Sequence, residues 1–292
     1  MNRKFRTFLV PGVALIFILS AFTPDKPAYQ LFTAKGKRSS YSAMLKKAAD
    51  ADIVLFGEFH NNPMSHWLEL ELTRDLHAGK RQIEMGAEMF EADVQSELDR
   101  YMQDTAFTEK DMMKVCRAWP NYRTDYKPLV EFAKDKGIRF VACNVPRKFA
   151  SMLYKGGLEA LDTLTTEQKS WMAPLPFPYD STLPCYRDIY KATGGHGGQR
   201  LPMSQALKDA TMAHFILKNH QKGKIFIHYN GSYHSNNFES IYWYLKKADP
   251  SLKIMTIGST EQAHIQKLDK ESLGLADFIL CTPESMTKTY EQ

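Results

Sequence analysis

Five short apolar runs, each about a strand long and each followed by a helical pattern, constrain this chain more than any other feature. They are Asp52–Phe56, Arg81–Phe90, Ile138–Cys143, Lys224–Tyr229 and Lys253–Ile257. Such runs, bounded by polar and glycine residues, predict strands. After the first, Asn62 can cap a helix and Pro63 suits its first position, while Met64, Trp67, Leu68, Leu72 and Leu76 mark one face before Gly79. Val94, Leu98, Tyr101 and Met102 repeat the pattern after the second run, and a third helix from Pro128 stops at Gly137 directly before the next strand. Parallel neighbours need crossovers, and helices supply them. The expected fold is therefore α/β: a doubly wound, mostly parallel sheet with helices on both faces.

The rhythm breaks between about residues 145 and 200. This stretch carries Trp171, the proline-rich Pro174–Tyr179 and Gly194-Gly-His-Gly-Gly198, which predicts a helical or irregular insertion acting as a lid. Strand and helix alternation resumes with Pro202–Leu217. With 292 residues, 43% of them hydrophobic, the chain can bury a large core in one domain, expected over residues 40–285. Residues 1–23 read differently. Arg3, Lys4 and Arg6 precede an apolar segment from Phe8 to Phe22, the pattern of a signal peptide or N-terminal anchor, so the protein is expected to be exported.

Those three N-terminal cations contribute much of the formal net charge of +5, and no stretch interleaves basic and aromatic residues densely enough for a nucleic-acid track. Nucleic acid is not expected as a partner. Cys116, Cys143, Cys185 and Cys281 are too scattered for a cysteine-rich zinc module, and no cysteine precedes Cys116 to carry a lipid.

In open parallel sheets, ligands bind beyond the carboxyl ends of the strands. Here the first strand runs into Gly57-Glu-Phe-His60, the second into Glu88, the third into Asn144 and Arg147, and the fourth into Asn230-Gly-Ser-Tyr-His234. Glu58, His60, Glu88 and His234 would share one rim, where carboxylate and imidazole can hold a divalent metal or work as an acid–base set. Gly-x-x-His occurs twice, whereas 16 Gly and 9 His in 292 residues make fewer than one such spacing expected by chance. Position directly after an apolar strand adds to the case. The bland alternative for each residue is a helix cap or a satisfied core group, which is less economical for four at once.

Other residues rank lower. His66 on the first helix would pack or face water, Asp209 and His214 would lie on a solvated helix face, and His228 would be structural. Tyr122, Tyr126, Tyr179, Tyr186 and Tyr190 could stack on a planar ligand, although such residues more often simply pack. There is no G-x-S-x-G elbow, Walker loop, dinucleotide fingerprint or H-E-x-x-H.

Several segments together carry a resemblance: Gly57-Glu-Phe-His-Asn-Asn-Pro63 with His66, Glu88-Met-Phe90, Trp119 with Tyr126-Lys-Pro-Leu129, Asn144-Val-Pro-Arg147, Asp209–Ala213 and Gly231-Ser-Tyr-His234. The chain resembles the ChaN-like haem-binding uptake family, in a wider group that includes Tiki-type metalloproteases and erythromycin esterases. The resemblance implies haem as cofactor and a place in haem or iron uptake at the cell envelope, in the periplasm or attached to it. Tyr126, Arg147 and His196 are then candidates for contacting the haem. A homodimer sharing the haem, and envelope uptake components, are the implied partners. The wider group implies instead a metal-dependent hydrolase, peptidase or esterase-like, using Glu58, His60, Glu88 and His234 with a divalent metal ion. A third reading is a binding module whose polar rim is a relic. The chain departs from many relatives in having Asn61 where they have Asp.

Overall fold

The computed structural model describes residues 25–291; the expected export segment, residues 1–23, lies outside them. A short edge hairpin, β1 (Gln30–Thr33) and β2 (Arg38–Ser39), leads into α1 (Tyr41–Ala49) and then β3 (Ile53–Glu58), α2 (Pro63–Ala78) and β4 (Ile83–Glu91). Next come α3 (Gln95–Gln103), α4 (Glu109–Val115), α5 (Lys127–Lys136) and β5 (Phe140–Asn144). The insertion contributes α6 (Arg147–Gly156), α7 (Thr166–Lys169) and α8 (Pro184–Ala192) before α9 (Arg200–Asn219), and β6 (Ile225–Gly231), α10 (Ile241–Ala248), β7 (Ile254–Gln262) and β8 (Phe278–Pro283) complete the fold.

The strands form one eight-stranded sheet in the order β2-β1-β8-β7-β3-β6-β4-β5, parallel from β8 to β5, with the β1–β2 hairpin antiparallel at one edge. The doubly wound expectation is met. The edge hairpin and β8 were not anticipated from the sequence; Phe278–Cys281 is a four-residue apolar run that periodicity alone does not separate from a loop.

Alternate residues of each strand face opposite layers. Val54, Phe56, Met85, Ile227 and Met255 pack with Met44, Leu68, Leu72, Leu98 and Leu129 of the first helical layer. Ile53, Leu55, Val141, Cys143 and Phe226 pack with Phe149, Leu153, Leu207, Ile216 and Leu245 of the second. All four cysteines are free thiols.

Most of the insertion belongs to this second layer. Phe149, Leu153, Leu161, Met172, Phe177 and Tyr186 are buried in the same cluster as the α9 and α10 side chains. It reaches the rim through the Tyr186 hydroxyl, bonded to Asp209, and through the Cys185 carbonyl, which accepts from the Tyr233 hydroxyl. Among the described residues no helix is long and apolar enough to cross a membrane.

Leu153 on α6 is fully buried. Leu153→Ala should cost about 2–5 kcal/mol, seen in urea unfolding as a lower midpoint with an unchanged slope. A loss below about 1 kcal/mol, as at a loosely held surface site, would show that α6 is not part of the core.

Candidate functional site

The carboxyl ends of β3, β4 and β6 meet at the centre of the sheet, because β6 pairs with β3 on one side and β4 on the other. Glu58 closes β3. Its buried Oε1 accepts from the Tyr126 hydroxyl at 2.7 Å and lies 2.7 Å from His60 Nδ1, while Oε2 lies 3.2 Å from His66 Nδ1. Burial alone would raise the Glu58 carboxyl, but the His66 and His60 imidazoles overcome it and hold the group well below the usual carboxylate range.

Glu88 occupies the corresponding place on β4. Its Oε2 accepts from the Gly231 amide at 2.8 Å and its Oε1 lies 3.3 Å from His234 Nε2. His234 Nδ1 is 2.5 Å from Asp209 Oδ1 on α9, and the Tyr186 hydroxyl donates to Asp209 Oδ2 at 2.8 Å. His234 is thus held between two carboxylates. Burial pulls its pKa down, but Glu88 and Asp209 more than reverse this and raise it to about 10. Burial likewise raises Glu88, yet His234, His60 and the Gly231 amide bring it to about 2.

The four rim residues therefore come together as two Glu–His pairs that differ in one respect. Both nitrogens of His234 are engaged, whereas among the described residues the His60 ring is bonded only through Nδ1 and keeps a quarter of its side chain exposed. The space between the pairs exists because residue 231 is glycine: a Cβ there would lie 2.8 Å from His60 Nε2 and 3.5 Å from Glu88 Oε2. His60 is steadied further by an edge contact with Trp119, ring centroids 4.8 Å apart. Above it opens a cavity of about 460 Å³ lined by Glu58, Phe59, His60, Gly231, Tyr233, His234 and Lys288 among others.

Local sequence explains the positions. Asn62 caps α2 by accepting from the Met64 and Ser65 amides, and its amide donates to Glu261 and Thr282 at the ends of β7 and β8, which fixes the turn carrying His60. A π-helical turn at Tyr122–Tyr126 presents Tyr126 and Asp125 inward. Asn61 exchanges hydrogen bonds with the C-terminal segment, giving its side-chain amide to the Tyr290 carbonyl and accepting from the Thr289 amide at its own carbonyl.

The other candidates are placed as follows. Tyr126 reaches the site but is buried, bonded to Glu58 and raised far above the usual phenol range by burial and that carboxylate, so it orients Glu58 and is not an open ligand. Arg147 is exposed and lines a neighbouring cavity with Arg117, Lys148 and Trp119, the residue shared with His60. His196 is exposed in the glycine turn before α9, away from the residues lining the rim cavity.

Three residues that sequence reasoning ranked low or passed over are buried here: His66, Glu69 and Asp209. Each interrupts an apolar stripe, Glu69 between Ser65, Leu68 and Leu72, and Asp209 between Ala206, Ala210 and Ala213. A carboxylate on the buried side of a helical stripe was the available signal.

The His234–Glu88 pair makes stability depend on pH in a definite direction. The His234 contribution is complete below its ordinary value of about 6.5 and fades as pH rises through about 10, while that of Glu88 is complete above about 4.5 and fades as pH falls through about 2. Thermal melts should show Tm falling between about pH 7 and about pH 10, and a His234→Gln/Glu88→Gln variant should flatten that limb; an identical limb in the variant would mean the pair does not hold its charges. Gly231→Ala should fold yet push the His60 ring off Glu58, so that the His60 pKa read by NMR, which the Glu58 bond raises, drops toward about 6.5. A pKa as high as in the wild type would show that the ring is not packed on Gly231.

Comparison with known proteins bears on the whole arrangement. The chain is similar to the structure of ChaN of Campylobacter jejuni, which binds haem cofacially, with a TM-score of 0.65 and 17% identity over 86% of this chain and 96% of that one. It is also similar to a succinoglycan biosynthesis protein, with a TM-score of 0.52 and 11% identity over 82% and 90% of the two chains. At these identities the likeness concerns the fold. In sequence it is 29% identical over 136 residues to Protein RETICULATA-RELATED 5, chloroplastic, of Arabidopsis thaliana, a match spanning 44% of this chain and 18% of that protein. The sequence model of the family described as haem-binding uptake, Tiki superfamily, ChaN matches residues 44–245. That match runs from α1 to α10 and takes in both Gly-x-x-His turns, and this chain belongs to the ChaN haem-binding uptake family of the Tiki superfamily.

Proposed function

We propose that this protein binds haem at the rim of the sheet and takes part in haem or iron uptake as an exported protein of the cell envelope. The observation that carries the reading is His60. Its Nδ1 faces an ionised carboxylate and its Nε2 makes no hydrogen bond among the described residues, which is how proteins orient an imidazole toward a metal. Neutral imidazole is also a common axial ligand of haem iron.

The surroundings fit a planar, largely apolar cofactor. The cavity of about 460 Å³ is within the range of small-molecule sites, and Phe59 and the 43% exposed Tyr233 offer apolar surface at its wall. Lys288, paired with Glu261, supplies a cation beside the same cavity for a propionate. Bound haem would supply the iron, with His60 to hold it, Glu58 to fix the imidazole tautomer and Tyr126 to fix Glu58. Family membership supports the haem assignment, and the basic and apolar residues of the first 23 positions support export.

Titration of the purified protein with haem should produce a saturable shift of the Soret band, and His60→Ala, measured at a temperature where its melting curve shows it folded, should weaken binding by roughly 10–100-fold. The haem reading fails if the wild type gives no shift. Undiminished binding by His60→Ala would instead move the iron to another ligand.

A further inference from the structure

Behind the rim lies a second cluster that shares Glu58 with the His60 site and adds two residues the haem reading leaves without a role. Glu58, His66 and Glu69 are all buried, and one donor atom from each lies within 4.8 Å of the others. His66 Nδ1 stands 3.2 Å from Glu58 Oε2 and 3.2 Å from Glu69 Oε2. Glu58 Oε2 and Glu69 Oε1 are fully buried and have no hydrogen-bond partner. Buried carboxylate oxygens without a hydrogen bond are costly, and the group set against both carboxylates is the His66 imidazole, whose place as the local positive charge a cation can take.

His66 is oriented as metal-bound histidines are. Its Nε2 lies 3.1 Å from the His60 carbonyl oxygen, an acceptor that requires Nε2 to carry a proton, with the Asp125 carboxylate 3.6 Å away behind it. Asp125 is itself fixed by the Asn121 amide and the Thr289 hydroxyl, each at 2.7 Å. In neutral imidazole that leaves the Nδ1 lone pair facing the two carboxylates. Donors 3.2 Å apart, each bonded to one ion at about 2.1 Å, subtend about 100° at that ion, between octahedral and tetrahedral angles.

We propose that Glu58, His66 and Glu69 form a buried site for a divalent first-row cation, distinct from the His60 rim. One imidazole and two carboxylates without a thiolate suit Mn²⁺, Fe²⁺ or Zn²⁺ rather than a thiophilic ion. Glu58 lines the rim cavity and gives the ion its route inward. The same carboxylate then serves both sites, with Oε1 turned to His60 and Tyr126 and Oε2 to the ion. Asp125 and the His60 carbonyl hold His66 from outside the coordination shell.

The test uses the whole protein without haem, freed of ions with a chelator and titrated with MnCl₂ by calorimetry, with melting curves in parallel. The wild type should take up one equivalent and gain Tm. Glu69→Gln, which keeps the shape but removes a charged ligand, should weaken uptake by more than about 100-fold, whereas Glu71→Gln on the exposed side of the same helix should leave it unchanged. Two results would overturn the site. No uptake by the wild type would mean that a proton shared by the two carboxylates fills the gap, and uptake lost in His60→Ala but kept in Glu69→Gln would place the ion at the rim. Since haem is absent throughout, neither result depends on the haem reading.

Discussion

The ionised Glu58 carboxylate, buried at the end of a central strand, is the constraint around which the rest is arranged. An unpaired charge at that depth would be prohibitively costly, so each neighbour is chosen to offset it. His60 and Tyr126 take one oxygen and His66 faces the other. Each of these partners is anchored in turn: His60 by Trp119 and the cap at Asn62, Tyr126 by a π-helical turn, His66 by Asp125 and a backbone carbonyl. The parallel sheet supplies a rigid floor, and the polar groups above it have little freedom to reorganise, which is what a ligand site built for geometry requires.

The two halves of the rim divide their work. Around His234 every hydrogen-bonding position is filled, and the chain Tyr186–Asp209–His234–Glu88–Gly231 ties α8, α9, β4 and β6 together. Around His60 one nitrogen is left over. A closed network that fixes the backbone and an open one that meets the ligand are consistent with two similar turns, Gly57–His60 and Gly231–His234, having different roles. Similar motifs do not imply equivalent chemistry when their partners differ.

Much of this was legible in the residues. Strand-length apolar runs and capped helices set the α/β class, and the placement of Glu58, His60, Glu88 and His234 at strand ends put them on one rim before any contact was known. Less visible was anything that depends on which side of a helix is buried. Asp209 reads as a surface residue because polar side chains usually are, and His66 as one that packs or faces water, yet both lie on the buried sides of their helices. Short strands escaped notice because four residues such as Phe278–Cys281 carry little periodic information. The insertion, expected as a lid from broken rhythm and prolines, instead buries Leu161, Met172 and Phe177 against regular helices of the second layer.

Strand order carries a consequence for how such a chain comes to be folded. β3 and β4, which bear the two acidic residues, are never neighbours; the strand that separates them, β6, follows them by well over a hundred residues. A nascent chain ending before residue 225 has no means of closing that gap, so its halves stay unjoined and Glu88 lacks both the Gly231 amide and the His234 imidazole. Contacts so distant along the chain form slowly. Ligand binding between the two halves of the rim therefore belongs to the last stage of folding, after β6 has joined them.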